Sequence, residues 1–267
     1  MRRLTPIILA ALCLGCGTGG DDRERVLLVT TTTVEASGLL DTLLTAYHAS
    51  QDRFQVSATA VGSGAALELG RRGDADLLLT HDPEGEERFM ADGAGKERGP
   101  VMTNQFILAG PPEDPAGVRG ASDLAGALGT IGSAGARFVS RGDESGTHRK
   151  ELELWRRIGR DPPPPSDAYL VAGSGMGETL RIADQRGAYV LTDLGTFRHL
   201  SGDLGLEPLV LGSPEEPNPY HYILPVEPRH PEGARDLKRW LLGPGQDVIS
   251  VFGADRFGQP LFTPAAR

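Results

Sequence analysis

Between Val26 and Phe252, apolar runs of strand length alternate with segments whose apolar residues recur at helical spacing, and that alternation admits few folds. Residues 26–30 read as a short buried strand. Leu39, Leu40, Leu43, Leu44 and Tyr47 then repeat at helical spacing and predict a helix over 38–49. Residues 54–61 read as a strand, 65–72 as a helix closed by Gly73, and 75–80 as a strand. This rhythm predicts a mostly parallel sheet with helices on its faces. Residues 101–109 continue as one strand, and the Pro- and Gly-rich stretch 110–120 follows as a candidate crossing.

The rhythm then repeats. Strands are predicted at 137–140, 168–171 and 188–192, and helices at 147–158 and 177–186, stopped by Gly159 and Gly187. Residues 220–226 read as an extended return crossing, and 233–242 and 246–252 as closing helices. The expected architecture is therefore α/β and two-lobed. Lobe I holds 26–109 and 226–267, and lobe II holds 110–225. The chain crosses near 101–112 and 217–226, and a cleft lies between the lobes.

The N-terminus reads as targeting sequence rather than fold. Arg2 and Arg3 precede a short apolar stretch at 4–14, which ends Leu12-Cys13-Leu14-Gly15-Cys16. That ending resembles a bacterial lipobox, with Cys13 where Leu is usual. The expectation is a signal peptide over 1–15, a lipid on Cys16 and a polar tether over 16–25. Both cysteines of the chain lie in this segment, so the body has no internal disulfide. The formal net charge of -9, without a Lys/Arg cluster, excludes a nucleic-acid surface. It leaves room for a small anion, whose buried site is governed by local dipoles.

Four turns share one design: a strand ends, Ser, Thr and Gly cluster, and a helix begins. They are Thr30-Thr31-Thr32-Thr33, Gly62-Ser63-Gly64, residues 140–147 (SRGDESGT) and Gly173-Ser174-Gly175-Met176-Gly177. A helix start offers unpaired N–H groups and partial positive charge, glycine permits close approach, and hydroxyls add neutral donors. In open α/β sheets, ligands gather beyond the carboxyl ends of strands, where all four turns fall. Ser and Thr also cap helices for purely structural reasons, so the weight lies in four such turns with one Arg among them. Arg141 supplies a positive charge and a planar donor fork. Its alternative partner is Asp143, and both roles are compatible if the carboxylate orients the guanidinium.

The stretches TTTTVEASGLLD (30–41), AVGSGAALELGRRGDADLLLTHDP (60–83) and FVSRGDESGTHRKELELW (138–155) closely resemble the periplasmic tungstate-binding components of bacterial ABC importers. GSGMGETL (173–180), GAYVLTDLGTF (187–197) and NPYHYIL (218–224) are similar to that family too. The resemblance implies a type II periplasmic-binding-protein fold that closes over one dehydrated oxyanion. Carried over position by position, it implies contacts from Thr32, Ser63, Arg141 and Thr147, with Ser145 and the Met176 backbone close by. Thr31, Thr33, Gly64, Asp143, Gly146 and Gly175 take supporting places. It also implies permease subunits as partners, no cofactor, no bound metal beyond the tungsten of the oxyanion, and a monomer anchored outside the cytoplasm.

The 140–147 turn also resembles a segment of phosphate-binding proteins. Phosphate near pH 7 still carries protons, so a site selective for it needs a buried carboxylate as acceptor. Tungstate and molybdate are fully deprotonated and would be repelled by one. Only Asp143 and Glu35 stand near as candidate acceptors, which favours the deprotonated dianion. A non-transport anion sensor is the alternative of a different class. An enzyme using Ser145 or Thr147 with His148 as base lacks a nucleophile elbow and an evident triad. His81, Asp82 and Glu84 match no metal-ligand spacing and read as a polar loop.

Overall fold

The computed structural model describes residues 23–214 and 216–265, so the signal peptide and Cys16 lie outside the described residues. The first half of lobe I runs β1 (Glu24–Thr31), α1 (Thr32–Ala36), α2 (Leu39–Ser50), β2 (Phe54–Val61), α3 (Ser63–Arg71), β3 (Leu77–Thr80), α4 (Pro83–Ala91) and β4 (Gly95–Asn104). Lobe II runs β5 (Phe106–Gly110), α5 (Leu124–Ala134), β6 (Phe138–Ser140), α6 (Gly146–Arg157), β7 (Tyr169–Val171), α7 (Met176–Arg186), β8 (Tyr189–Asp193), α8 (Leu194–Leu200) and β9 (Glu207–Leu211). The chain returns through β10 (Asn218–Pro225), α9 (Pro231–Leu242), α10 (Pro244–Val251), α11 (Ala254–Phe257) and β11 (Thr263–Pro264). Glu24 and Arg25, read from sequence as the end of the tether, already pair with Phe54 and Gln55 in β2.

Each lobe has one sheet. The first is ordered β11-β4-β10-β3-β1-β2 and the second β7-β6-β8-β5-β9. β1 pairs in parallel with β2 and β3, and β6 with β7 and β8. β5 and β10, the strands on either side of the crossings, run antiparallel to their neighbours. The sheets are thus mixed rather than mostly parallel, because a strand entering from the other lobe is not laid down by a βαβ crossover.

Both sheets are covered on both faces. Along β5, Phe106 and Leu108 enter the core under α5 and α6, while Ile107 and Ala109 enter the one under α7 and α8. That is the period-two alternation of a strand buried twice. In lobe I, Val26 and Leu28 pack with α2 and α9, and Val29 with Phe89 on the opposite face. Each fully buried Leu, Val or Phe contributes roughly 1.5–3 kcal/mol. The cores hold the sheets rigid and leave the strand ends to carry the site.

The sheets are exchanged at one residue. Gln105 alone separates β4 from β5, so the apolar run 101–109 is two strands in two lobes. The Gln105 side-chain amide donates to the Gly212 carbonyl at 2.7 Å, and Gly212 N–H donates to the Phe106 carbonyl at 2.8 Å. The outgoing and returning chains therefore lie side by side. β10 belongs wholly to the first sheet, which places the return at 212–217, ahead of the expected 220–226. The stretch 110–120 belongs to lobe II, where Asp114 accepts from Val118 N–H, Arg119 N–H and the Tyr189 hydroxyl. Among the described residues no helix is long and apolar enough to cross a membrane.

Candidate oxyanion-binding site

The four hydroxyl-rich turns meet where the lobes face each other. Arg141 Nη2 of lobe II donates to Thr32 Oγ1 of lobe I at 3.0 Å and also pairs with Asp143. A Cβ placed on Gly62 would lie 3.4 Å from the Asp143 carbonyl oxygen, and one on Gly175 3.4 Å from Thr32 Cβ. On Gly146 it would lie 2.3 Å from the His81 carbonyl oxygen, so only glycine allows the lobes to approach this closely there. Arg149 Nε reaches across to Asp82 Oδ2 at 2.9 Å, and the Thr196 hydroxyl donates to the Thr33 carbonyl at 3.2 Å. The lobes are closed on one another.

The side chains at this junction are buried and several lack partners. Arg141, Ser63 and Thr147 are each no more than 2% exposed. Among the described residues, Ser63 Oγ, Thr147 Oγ1, Arg141 Nε and Arg141 Nη1 have no hydrogen-bond partner. A buried donor left unpaired costs about 1–3 kcal/mol, and more when it is charged, so such groups in one place point to a ligand that accepts. Thr32 Oγ1, which accepts from Arg141, retains its own proton to donate. Besides the five-residue α1, two helices open on this junction without a side-chain cap among the described residues: Gly62 precedes α3 and Gly175 precedes α7. Their first N–H groups stay free for an acceptor from outside the chain.

The sequence-derived site residues differ in what each presents to the junction. Thr32, Ser63, Arg141 and Thr147 offer side-chain donors. Met176 puts its side chain into the core beneath α7, so only its backbone at the helix start faces outward. Ser145 caps α6: its hydroxyl oxygen accepts from His148 N–H at 3.3 Å, which leaves its own proton to donate. Thr31 and Thr33 bond each other at 2.9 Å and turn inward. Gly64 and Gly146 admit the opposing lobe. Glu144, between them and Arg141, adopts a positive φ of 56°, which marks a tight turn.

Neither candidate acceptor is free. Asp143 pairs through Oδ2 with Arg141 and through Oδ1 accepts from Ser145 N–H at 3.2 Å, and Glu35 is exposed. Arg141 thus pairs with Asp143 through one nitrogen, and its other two have no partner among the described residues. A third carboxylate escaped the sequence reading. Asp193 is fully buried, caps α8 by accepting from Thr196 N–H, and accepts from Asn104 Nδ2 at 2.7 Å. Burial pushes its pKa up, opposed by hydrogen bonds and by Arg141. The Asp-Leu-Gly-Thr sequence at a strand end carried the capping signal for it.

His81 and Asp82 are buried, not part of an open polar loop. Asp82 caps α4, with Pro83 in its first turn. The His148 ring accepts from Glu144 N–H at 3.1 Å, and among the described residues no Ser or Thr hydroxyl bonds to it. Among the described residues no group of three His, Cys, Asp or Glu side chains could hold a metal.

Residues 18–244 match the PBP superfamily domain. The chain is 38% identical to the tungstate-binding protein TupA of Peptoclostridium acidaminophilum, over 100% of this chain and 99% of that one. A solved structure of the tungstate ABC transporter from Geobacter sulfurreducens aligns with a TM-score of 0.77 at 40% identity, covering 86% of this chain and 99% of that one. TupA from Desulfovibrio alaskensis G20 aligns with a TM-score of 0.70 at 37% identity, covering 91% and 99%.

Proposed function

The chain belongs to the PBP superfamily and, within it, to the family of tungstate-binding proteins, and we propose on that premise that it captures tungstate for an ABC importer. Thr32 and Ser63 come from one lobe, Arg141 and Thr147 from the other, and the anion bridges them as the lobes close. The protein acts outside the cytoplasm, hands the anion to membrane permease subunits, and catalyses no reaction. A lipid on Cys16 holds it at the membrane as a monomer.

One observation carries this reading: the unpartnered buried donors at the lobe junction come from two of the four turns, Ser63 from one lobe and Arg141 and Thr147 from the other. They supply one full positive charge, two neutral hydroxyls and the uncapped starts of α3 and α7. Asp143 has both oxygens engaged, so the four turns themselves offer donors without a free acceptor; the unpartnered carboxylate oxygen, Asp193 Oδ2, lies at the start of α8 outside them. That combination suits an oxyanion without protons, tungstate or molybdate, better than phosphate.

Isothermal titration of the mature chain with sodium tungstate, molybdate, sulfate and phosphate tests it. Tungstate is expected to bind one-to-one and to raise the melting temperature. A ligand that binds only the folded chain stabilises it by about 2.7 kcal/mol at a hundredfold excess over Kd. Tight phosphate binding with no tungstate heat would refute the assignment.

A further inference from the structure

We propose that His81 is a positioning residue for the oxyanion: held as the Nδ1–H tautomer by Asn218, it fixes Thr32 by tying down both of that residue's neighbours and seats the start of α6. The inference rests on the cleft being the oxyanion site.

The hydrogens can be assigned one after another. His81 Nδ1 lies 2.9 Å from Asn218 Oδ1, and an amide oxygen only accepts, so Nδ1 carries the hydrogen. Burial keeps this imidazole neutral, its pKa pushed down to about 4. Nε2 is therefore bare and must accept from the Thr33 hydroxyl, 3.3 Å away. With its one proton used, Thr33 Oγ1 accepts from the Tyr220 hydroxyl at 3.1 Å and from the Thr31 hydroxyl at 2.9 Å. The Tyr220 ring stacks on His81 at 4.7 Å between centroids. Thr31, Thr33 and Tyr220 have thus all turned their protons into one network.

Thr32 sits between the two tied residues, and its hydroxyl is the one that Arg141 reaches. Locking the residues on either side fixes its backbone before the anion arrives, which lowers the ordering cost of binding. His81 also meets the other lobe. A Cβ on Gly146 would come within 2.8 Å of its ring, so the first turn of α6, with Thr147, closes directly onto it. The charged groups that face His81 are Arg141 and Asp143 across the cleft and Glu86 from α4. Its chain neighbour Asp82 is paired with Arg149.

Two substitutions and one spectrum test the assignment. In uniformly 15N-labelled wild-type protein above about pH 6, His81 should show a protonated Nδ1 and a bare Nε2, with or without sodium tungstate; a protonated Nε2 overturns the network. His81→Phe keeps a ring to stack on Tyr220 and removes both nitrogens. It should stay folded by circular dichroism yet bind tungstate about tenfold more weakly or worse, chiefly through faster release. Asn218→Asp changes one atom group and favours a second proton on His81. Nε2 then donates, and the Thr33 hydroxyl has to reverse. Tungstate should bind this variant about tenfold more weakly at pH 6 than at pH 8, while wild type changes less than about twofold. If His81→Phe does not fold, the spectrum and the Asn218→Asp profile decide. Wild-type affinity in folded His81→Phe, or a flat pH profile in Asn218→Asp, overturns the inference. A wild-type protein that gives no tungstate heat instead strikes the reading of the cleft itself.

Discussion

Replacing Arg141 by alanine separates its two roles quantitatively. In the closed structure Nη2 is taken by Asp143 and Thr32, while Nε and Nη1 have no partner among the described residues. If both face the anion, the substitution removes two charge-assisted hydrogen bonds of roughly 1.5–3 kcal/mol each. Affinity for tungstate should then fall by about 3–6 kcal/mol, roughly a hundredfold to ten-thousandfold. Stability without ligand should move little. Asp143 loses a partner but keeps Ser145 N–H, and the loss is offset by no longer burying a guanidinium with two idle donors. A shift of about 1 kcal/mol is about 2–4 °C for a chain of this size. Arg141→Lys restores the charge without the fork and should recover only part of the affinity. Calorimetry and thermal melts on the same preparations give both quantities. A change in Kd below tenfold, accompanied by a large drop in melting temperature, would show that Arg141 serves Asp143 alone.

Gly146→Ala should leave the free protein as stable as wild type, because the 2.3 Å clash with His81 exists only across the closed cleft; the tungstate-induced rise in melting temperature should shrink sharply. Arg149→Met removes the ion pair to Asp82 that spans the lobes. Because Arg149 is one-third exposed, the loss should be about 1 kcal/mol, seen in stopped-flow displacement as release about fivefold faster. Acid should destabilise the fold through His81. Its pKa is near 4 when folded against an ordinary 6.5, so the unfolded chain takes up the proton first. Stability present above pH 6.5 is lost as pH falls towards 4, by about 3 kcal/mol. Melting of His81→Phe over the same range should fall less steeply than that of wild type.

Most of the α/β order could be read from periodicity, and the four turns from their Ser, Thr and Gly content. What escaped depended on partners remote in sequence. The run 101–109 carries no break stronger than Asn104-Gln105, and only the amide bond from Gln105 to Gly212 shows that its halves serve different sheets. α1 is five residues long and begins with two β-branched threonines, too short and too poor in helix formers to signal itself. α4 has a single large apolar residue buried, Phe89, among charged neighbours, although Asp82 and Pro83 announced its start. His81 looked like loop because its ring is satisfied by Asn218, 137 positions away. The donor residues were legible as types; which of Thr31, Thr32 and Thr33 stands apart came only from the family resemblance, because the three differ only in the network behind them.

The bare starts of α3 and α7 bear on how such a protein can be engineered. A stabilisation screen that looks for missing helix caps would choose Gly62→Asp and Gly175→Asp early, each expected to add a few tenths of a kcal/mol. Each would also set a carboxylate on the N–H groups that we propose receive the oxygens of the cargo. Hits ranked by heat tolerance alone would therefore be enriched in proteins that have swallowed an imitation of their own ligand. A biosensor evolved from this scaffold needs selection with tungstate present, because its most obvious structural defects are its receptor.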